Sequence, residues 1–334
     1  MNKLLISGGA GFIGSNYIRY LFEHHPDCFV VNLDKLTYAG NLENLKDVEK
    51  YPNYQFIKGD ILSVELVDLL VKGCDAVINF AAESHVDRSI TGPGEFIQTN
   101  IVGTQVLLDA CVKYDKHFHH ISTDEVFGSL SLKSKKRFHE DTNYDPSSPY
   151  SASKASSDHL VRAYHKTYGL QTTITNCSNN YGPFQFPEKL IPLMIINAFN
   201  NKRLPVYGNG KNIRDWVHVQ DHCSAIDIVL NRGEIGETYL VGGNEEVSNL
   251  DVVKSILKIL DKSEDLIEYV KDRPGHDLRY AIDSSKIETE LGWTRRYNFS
   301  TGLKQTVEWY LNHKGWWGRL LSKEYLNYYE QQYK

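Results

Sequence analysis

The sequence predicts an α/β protein with a doubly wound parallel sheet, followed by a smaller mixed α/β domain toward the C-terminus. Strand-length apolar stretches alternate with helical stretches up to about residue 176, the order of a parallel sheet covered by helices on both faces. A glycine-rich turn joins the first strand to the first helix. From about residue 177 the composition shifts to segments rich in Asn, Pro and aromatic residues, which indicates a second structural unit.

The composition of the 334 residues argues against several classes of protein. Hydrophobic residues make up 41% and charged residues 24%, which is ordinary for a globular chain with a sizeable core. A formal net charge of −5 gives no general basic field for nucleic acid. No apolar run approaches the ~20 residues that cross a bilayer. The N-terminal apolar run leads into the glycine-rich turn, so we expect no signal peptide and no membrane partner.

Cysteine and histidine usage gives no reason to expect a metal. The five cysteines are scattered and form no C-x-x-C pair, so neither a zinc site nor a disulfide framework is indicated. A reducing, cytoplasmic setting fits them best. His117, His119 and His120 cluster on a predicted strand, where neighbouring side chains point to opposite faces, and no carboxylate completes a ligand set at the usual spacing.

The first strand–turn–helix unit predicts a dinucleotide site. A short buried strand over residues 3–7 precedes Gly8-Gly9-Ala10-Gly11-Phe12-Ile13-Gly14, and a helical pattern continues to Phe22. The G-x-x-G-x-x-G spacing allows a tight turn, close approach to a pyrophosphate, and phosphate binding at the helix N-terminus. Asp34 ends the next strand, 20 residues past Gly14. An acid there binds a ribose diol and favours NAD over NADP, although it could instead cap a helix.

The alternation continues through three further strands, over residues 54–58, 76–80 and 118–122. Asp60 follows the first of these and could meet an adenine amino group. Small residues, Ala81 and Ala82, follow the second and let backbone come close to a cofactor. A helix is predicted over residues 97–114. The whole pattern is that of a Rossmann-type sheet.

Three functional side chains stand in a row where the strand ending near Ser122 runs out: Thr123, Asp124 and Glu125. Ligand crevices in open α/β sheets lie at the carboxyl ends of strands. An acid and a base side by side can eliminate water from a carbon skeleton, one protonating the leaving hydroxyl while the other removes a C–H proton. The alternative is a polar turn after a strand.

A second catalytic pair is predicted after a polar surface segment over residues 129–148. Pro149 should begin a helix, because proline is favoured in the first turn. That helix carries Tyr150 and Lys154, which lie on one face at a spacing of four. A nearby ammonium should lower the pKa of the phenol, so that Tyr150 could act as a base near neutral pH. Alone, such a pair could equally be structural.

The C-terminal part is predicted to bind an anionic substrate. Residues 188–200 and 250–260 read as helices, and 203–216 and 272–280 as loops that carry Arg214, Arg273 and His276. Arginines facing a nucleotide site would suit a diphosphate, whereas solvated loop charges are the alternative. Near the C-terminus, Trp316-Trp317 should pack a terminal segment onto the body. We expect an NAD-binding domain over 1–176, to which 212–240 return, and a mainly substrate-binding domain over 177–334.

Taken together, the glycine motif, Tyr150-x-x-x-Lys154 and the Ser122-Thr123 strand end resemble the extended short-chain dehydrogenase/reductases that act on nucleotide sugars. Within them, residues 123–128 (Thr-Asp-Glu-Val-Phe-Gly) look like the dTDP-glucose 4,6-dehydratases. Further matching stretches occur at 34–41, 81–89, 146–154, 176–183 and 272–277, so the resemblance covers nearly the whole chain. Epimerases and decarboxylases of nucleotide sugars share the fold and the Tyr/Lys pair but lack the Asp-Glu doublet.

The resemblance implies a set of site residues. The catalytic residues are Thr123, Asp124, Glu125, Tyr150 and Lys154. The residues implied to bind the cofactor NAD are Gly8, Gly11, Phe12, Ile13, Gly14, Asp34, Lys35, Thr37, Asp60, Ile61, Ala81, Ala82, Ser84, Thr99, Ser122, Tyr150, Lys154 and Asn180. Those implied to bind the substrate are Ser84, His85, Thr123, Asn179, Glu188, Lys189, Leu190, Pro205, Tyr207, Arg214, Asn249, Arg273, His276 and Tyr280.

The resemblance also implies a reaction. Tyr150, assisted by Lys154 and Thr123, takes the C4-hydroxyl proton of dTDP-glucose while hydride passes to NAD. Glu125 then removes the C5 proton, Asp124 protonates the leaving C6 hydroxyl, and hydride returns to C6. A homodimer through helices 97–114 and 150–168 is implied as well. Two alternatives stay open: a 4,6-dehydratase acting on a UDP- or GDP-sugar, and a dinucleotide-binding sensor without catalysis.

Overall fold

The computed structural model describes residues 1–321, so the last part of the predicted 177–334 unit lies outside the described residues. Within the described range no helix is both long enough and apolar enough to span a bilayer. The strands are β1 Lys3–Ser7, β2 Phe29–Asp34, β3 Tyr54–Lys58, β4 Ala76–Asn79, β5 His117–Thr123, β6 Thr172–Cys177, β7 Asn179–Tyr181, β8 Leu204–Tyr207, β9 Ile213–His218, β10 Thr238–Val241, β11 Glu246–Ser248 and β12 Ile267–Val270.

The α-helices lie on both faces of the main sheet and around the C-terminal strands. They are α1 Phe12–His24, α2 Val64–Lys72, α3 Val86–Thr91, α4 Pro93–Phe96, α5 Gly103–Tyr114, α6 Pro149–Tyr168, α7 Leu190–Phe199, α8 Val219–Arg232, α9 Asn249–Ile259, α10 Ser285–Leu291, α11 Phe299–Asn312 and α12 Lys314–Leu320. Ser148 caps α6 and forms a reciprocal capping box with Ser151, and Pro149 occupies the first turn as predicted.

The main sheet confirms the predicted Rossmann-type fold. Its seven strands run in the order β10-β6-β5-β4-β1-β2-β3, and every neighbouring pair is parallel. The strand order reverses between β1 and β4, which opens a crevice at the carboxyl ends of these strands. Strands β4 and β5 are buried along their whole length, as expected for a sheet covered on both faces.

The chain crosses between the two halves more than once. Strand β10 extends the main sheet by pairing with β6, and α8 packs its Val219, Cys223 and Ile226 into the same core as Tyr17 and Ile18 of α1. The other C-terminal elements form a three-stranded sheet, β11-β9-β7, and a two-stranded sheet, β12-β8. These two small sheets and α7, α9 and α11 enclose a separate apolar core.

Two local predictions needed correction. The prediction that residues 203–216 form a loop is wrong, because they contain β8 and most of β9. Among the described residues, β8 pairs with β12 alone in a two-stranded sheet, and proline is tolerated in such an edge strand. The helix predicted over residues 97–114 begins with a wide π-type stretch over Ile97–Val102 before α5.

The prediction that the tryptophan pair packs the C-terminal segment onto the body is confirmed. Trp316 and Trp317 lie in the C-terminal core. The indole N–H of Trp316 donates to the side-chain oxygen of Asn44 at 2.8 Å, and that of Trp317 donates to the carbonyl of Tyr310 at 2.9 Å. The contact with Asn44 ties α12 to the N-terminal half.

Two leucines on the packed helices α2 and α5 give a matched test of the main core. Leu107→Ala should lower the free energy of unfolding by about 2–5 kcal/mol, because Leu107 is fully buried. Leu69→Ala should change it by less than about 0.5 kcal/mol, because Leu69 is 68% exposed. Urea unfolding monitored by circular dichroism measures both, and equal losses would contradict this description of the core.

Candidate active site

One large cavity opens at the carboxyl ends of the main-sheet strands and brings together most of the predicted site residues. All five predicted catalytic residues line it, and so do all the residues predicted to bind the cofactor. Of the residues predicted to bind substrate, only some line the same cavity: Ser84, Thr123, Asn179, Glu188 and Lys189.

The glycine-rich turn forms one wall of the cavity by close backbone contacts. A Cβ atom at Gly14 would lie 2.5 Å from the carbonyl oxygen of Gly8, and one at Gly8, where φ is +74°, would lie 2.6 Å from the nitrogen of Ala81. Neither position accepts a larger residue without a shift. Gly11 precedes α1 and offers no side-chain cap, so the first N–H groups of α1 remain available to an anion.

Two carboxylates, those of Asp34 and Asp60, line the same side of the cavity after strands β2 and β3. Asp34 ends β2, and its oxygens accept hydrogen bonds from the backbone nitrogens of Ala10 at 2.9 Å and Leu36 at 2.8 Å. These bonds fix the carboxylate at the rim of the glycine turn. Asp60 follows β3 and forms an ion pair with Lys35 at 2.7 Å. Both positions lie where an adenosine moiety would meet a Rossmann-type sheet.

The acidic doublet begins where β5 ends. Thr123 is the last residue of β5, and a 3₁₀ turn over Asp124–Phe127 follows it directly. The Thr123 hydroxyl accepts a hydrogen bond from the backbone nitrogen of Glu125 at 3.3 Å, which fixes the turn. Asp124 is 1% exposed, and its Oδ2 has no hydrogen-bond partner among the described residues. A buried carboxyl of this kind is held for chemistry rather than for stability.

The two acids have different electrostatic surroundings. Burial, reinforced by Glu125 and Asp215, holds the pKa of Asp124 well above its usual range. Burial also raises the pKa of Glu125, but Arg273, Lys189 and Arg214 oppose that rise. Asp124 is therefore the stronger candidate for a proton donor and Glu125 for a base.

Tyr150 and Lys154 project from the first turns of α6 into the same cavity. The expected lowering of the Tyr150 pKa is not found in the protein alone. Burial, with Glu125 and Cys177, raises the pKa of Tyr150 well above its usual range, and a hydrogen bond with Thr123 opposes this. The ammonium of Lys154 instead donates to the carbonyl of Ile121 at 2.7 Å and lies 3.3 Å from Nε2 of His120.

The remaining predicted substrate residues lie outside the wall of this cavity and belong mostly to the C-terminal elements. They are His85, Leu190, Pro205, Tyr207, Arg214, Asn249, Arg273, His276 and Tyr280. Leu190 begins α7 and packs on the C-terminal core, and Pro205 lies in the two-stranded sheet. These two offer mainly apolar contact.

Arg273, Tyr207 and His276 form a polar cluster next to the cavity, held together by a residue that the sequence reasoning missed. Asp87, near the start of α3, forms an ion pair with Arg273 at 3.3 Å and accepts a hydrogen bond from the Tyr207 hydroxyl at 3.1 Å. The rings of Tyr207 and His276 meet edge to face. Burial, with Arg273 and Arg214 nearby, lowers the pKa of His276 to about 4, so its ring is neutral at pH 7.

Arg214 and Tyr280 form a second buried contact. The guanidinium of Arg214 lies 4.2 Å from the centre of the Tyr280 ring and donates to the carbonyl of Asp277 at 3.0 Å. Its charge reaches the catalytic end of the cavity, because it lowers the pKa of both Asp124 and Glu125. Arg214 is therefore a buried site cation, not a solvated loop charge.

A pair of contacts joins the N-terminal and C-terminal sides of the cavity. The Arg88 guanidinium lies 3.9 Å from the centre of the Tyr38 ring, and its Nε lies 3.1 Å from a carboxylate oxygen of Glu188. Tyr38 and Arg88 were not among the predicted residues. The matching stretches at 34–41 and 81–89 contained them, but nothing local assigned them a role.

Two members of the histidine cluster, His117 and His119, serve packing in the sheet. His119 is fully buried and contacts the Thr173 and Thr175 hydroxyls at 2.8 and 3.3 Å, and His117 contacts Thr173 at 3.1 Å. Across residues 1–321, no three His, Cys, Asp or Glu side chains come together in a way that could hold a metal ion.

Comparison with known proteins identifies the family. Residues 5–306 match the model of the GDP-mannose 4,6-dehydratase family, and the chain belongs to that family. It is 53% identical to a dTDP-glucose 4,6-dehydratase of Escherichia coli, over 97% of both chains. A solved dTDP-glucose 4,6-dehydratase from Bacillus anthracis, in complex with NAD, superposes with a TM-score of 0.89 at 48% identity and covers 96% of this chain and 100% of its own.

A second solved relative is DesIV, a dTDP-glucose 4,6-dehydratase from Streptomyces venezuelae whose crystals contain NAD. It superposes with a TM-score of 0.93 at 47% identity and covers 95% of this chain and 99% of its own. The likeness therefore extends over both halves of the described chain, including the elements that surround the cavity.

The raised pKa of Asp124 gives a pH-dependent prediction. Folding raises the pKa of this carboxyl above the value of about 3.9 that it has in the unfolded chain. The carboxyl therefore lowers the free energy of unfolding when the pH is above about 3.9, and it has no such effect at lower pH. Asp124→Asn should therefore increase the free energy of unfolding at pH 7, because it removes a carboxyl whose ionisation is opposed by burial in the folded protein.

Urea unfolding at pH 7 and near pH 4 measures this difference, which should shrink at the lower pH. Asp27→Asn, at an exposed position, is the control and should change stability little at either pH. A loss of stability in Asp124→Asn at pH 7 would show that its charge is compensated in the folded protein.

Proposed function

We propose that this protein is an NAD-dependent hydro-lyase that converts dTDP-glucose to dTDP-4-keto-6-deoxyglucose, the reaction of the dTDP-glucose 4,6-dehydratases. The observation that carries the proposal is the joint placement of Tyr150 and Lys154 with Asp124 and Glu125 on one cavity. An epimerase or a cofactor sensor has no use for a buried acid beside a partly buried base.

The N-terminal wall of the cavity fits NAD. The close contacts of Gly8 and Gly14 leave backbone, rather than side chains, facing the space where a pyrophosphate would approach the start of α1. Asp34 would hold the adenosine ribose, and its negative charge would repel a 2′-phosphate. NAD, when bound, supplies the hydride acceptor for C4, the hydride donor for C6, and a positive charge near Tyr150.

In the first half of the reaction, Tyr150 accepts the proton of the C4 hydroxyl. Thr123 assists by its hydrogen bond to the phenol, which stabilises the phenolate. Lys154 stays an ammonium beside the Ile121 carbonyl and supplies the positive charge that the phenolate needs. The product keeps the C4 carbonyl, so Tyr150 ends the reaction protonated while the acid that protonates the leaving hydroxyl ends ionised. A net transfer of one proton from the phenol to that acid restores both for the next turnover.

In the second half, the 4-ketone acidifies the C5 proton and Glu125 removes it. Asp124, whose pKa burial holds well above its usual range, donates a proton to the departing C6 hydroxyl, which leaves as water. When C6 has received hydride, Glu125 returns its proton to C5, which completes the 4-keto-6-deoxy sugar. Three cations, Arg273, Lys189 and Arg214, oppose the rise in the Glu125 pKa and so favour the ionised form of that side chain, which is the form that acts as a base.

The polar cluster of the C-terminal elements would hold the nucleotide diphosphate. Arg214, which is buried, and Arg273, which is partly buried, provide two guanidinium groups, which suit phosphate oxygens. Asn179 Oδ1, Asn249 Oδ1 and Arg273 Nε are buried without a hydrogen-bond partner among the described residues, as expected of groups that meet a ligand. Glu188, Leu190 and the Pro205–Tyr207 strand would face the base, and His85 and Ser84 the sugar.

The assignment of domains, assembly and location follows from the same proposal. Residues 1–176 with 212–240 bind the cofactor, and 177–334 mainly bind the nucleotide sugar. Two copies associate through the helices of residues 97–114 and 150–168. Five cysteines that are all buried free thiols fit a reducing cytoplasm. Turnover of dTDP-glucose, UDP-glucose and GDP-mannose side by side tests the substrate, and a preference for another nucleotide would overturn the dTDP assignment.

The division of labour between the two pairs can be tested by single-turnover absorbance of the reduced cofactor after mixing with dTDP-glucose. Tyr150→Phe should form no reduced cofactor, because the C4 proton has no acceptor. Glu125→Gln should still form it but should eliminate water ~10²–10⁴-fold more slowly, because a positioned base is lost. Exchange of the C5 proton in deuterated water reports on removal of that proton. If Glu125→Gln exchanged this proton and eliminated water at the wild-type rate, Glu125 would not be the C5 base.

The diphosphate site predicts a selective loss of affinity. Arg273→Ala should weaken dTDP-glucose binding to the NAD-loaded protein by about 1.5–3 kcal/mol, the value of one hydrogen bond to a charged group. NAD affinity should not change. Titration calorimetry measures both, and Arg232→Ala, at an exposed position on α8, is the matched control. Equal affinities in the two variants would remove Arg273 from the site.

A further inference from the structure

A cluster of buried polar side chains lies next to Lys154. It centres on Asp158, which follows Lys154 by one helical turn on α6, and on His120 of β5. Both side chains are completely buried. Neither residue lines the cavity, and the reaction described above does not use either of them.

The carboxylate of Asp158 is held by donors from three different segments. Its Oδ2 accepts hydrogen bonds from the Ser122 hydroxyl at 2.9 Å, the Tyr144 hydroxyl at 2.8 Å and the Asn176 amide at 3.0 Å. Three donors converging on one oxygen suit a carboxylate, which only accepts. Its other oxygen, Oδ1, has no hydrogen-bond partner among the described residues.

One imidazole nitrogen, Nε2 of His120, lies between this Oδ1 atom and the ammonium of Lys154. Nε2 of His120 lies 3.5 Å from Oδ1 of Asp158 and 3.3 Å from Nζ of Lys154. Burial, together with the charge of Lys154, lowers the pKa of His120 well below its usual range, so the ring is neutral. A buried ammonium and a buried carboxylate therefore stand on either side of an uncharged ring.

We propose that Asp158 is a positioning residue for the Tyr150/Lys154 pair: it is the buried counter-charge that keeps Lys154 an ammonium, with the ring of His120 between them. This inference rests on the proposed function. The spacing of Tyr150, Lys154, Asp158 and Arg162 supports it, because residues four apart form one stripe along a helix, here facing the sheet.

The other groups around Lys154 do not supply this charge. Burial lowers the pKa of Lys154 to about 8, and Asp158 and Cys177 oppose that fall. Cys177 of β6 is itself a buried thiol whose pKa is strongly raised, so it is neutral at pH 7. His119 of β5 is neutral for the same reason as His120. Of these groups, Asp158 is the one that supplies a negative charge to Lys154.

The groups that contact the Asp158 carboxylate donate hydrogen bonds to it but carry no positive charge that would compensate it. Arg162, the next residue of the stripe, donates to the Tyr144 hydroxyl at 2.8 Å, and the same hydroxyl donates to Asp158. The arginine is thus separated from the carboxylate by a phenol. Ser122 and Asn176 contribute hydrogen bonds but no charge.

The test is the pH dependence of dTDP-glucose turnover by NAD-loaded protein. In the wild type, turnover should fall as the pH rises through about 8, when Lys154 loses its proton. Asp158→Asn keeps the shape of the side chain and removes its charge, so the alkaline limb should move to lower pH by at least about one unit. Asp158→Glu keeps the charge, so its alkaline limb should stay at the wild-type pH even if the rate falls.

Tyr144→Phe is the matched control, because it removes one hydrogen bond to the carboxylate and leaves the charge. Its alkaline limb should coincide with that of the wild type. An Asp158→Asn profile that is lower at every pH but not shifted would overturn the proposal in favour of simple packing.

Asp158→Ser, with a smaller neutral side chain, is measured in parallel in case Asp158→Asn does not fold. If neither neutral variant yields folded protein with bound NAD, Asp158 is a structural residue and the proposal is wrong. Failure of the wild type to turn over dTDP-glucose would instead overturn the proposed function, so the two failures are distinguishable.

Discussion

The cost of burying ionisable groups at the end of β5 governs the arrangement of the active site. Strand β5 lies between β4 and β6, and all of its residues are buried. The chain nevertheless places an acid directly after its last residue and a lysine ammonium against its Ile121 carbonyl. Each charge must be neutralised or paired where it stands. Much of the surrounding structure, from the Ser122 hydroxyl to the arginines of the C-terminal elements, meets that requirement.

Those compensating groups come from segments far apart in sequence, and this explains why the two halves of the chain interlock. Asp87 of α3 binds Arg273, and Arg88 binds Glu188, so the charges on the C-terminal side are held by residues of the N-terminal side. The C-terminal arginines in turn act on the acids after β5. The cavity exists as a chemical site only when both halves are folded together.

Sequence reasoning predicted the features that depend on local rules. The glycine spacing and the apolar strands predicted the sheet, because buried parallel strands and a phosphate-binding turn leave a pattern in neighbouring residues. It missed β8, because a strand that contains proline is tolerated mainly at a sheet edge, and nothing in the neighbouring residues indicates that edge. It also missed Asp87, because its partners Arg273 and Tyr207 lie far along the chain. It predicted a lowered pKa for Tyr150, whereas burial raises that pKa. Burial of that phenol depends on packing against α4, which no local motif records.

The two acid–base pairs share one cavity but differ in most of their electrostatic partners. Asp158 is the ionised group that acts on Lys154, whereas Glu125 responds to Arg273, Lys189 and Arg214. Interacting titratable groups exchange protons as a unit only when their coupling is strong. The two pairs still meet at one point, because Glu125 is among the groups that raise the pKa of Tyr150. An ionised Glu125 opposes ionisation of the phenol, so proton transfer at C4 and proton transfer at C5 are linked through this contact, while the other compensating charges of each pair stay distinct.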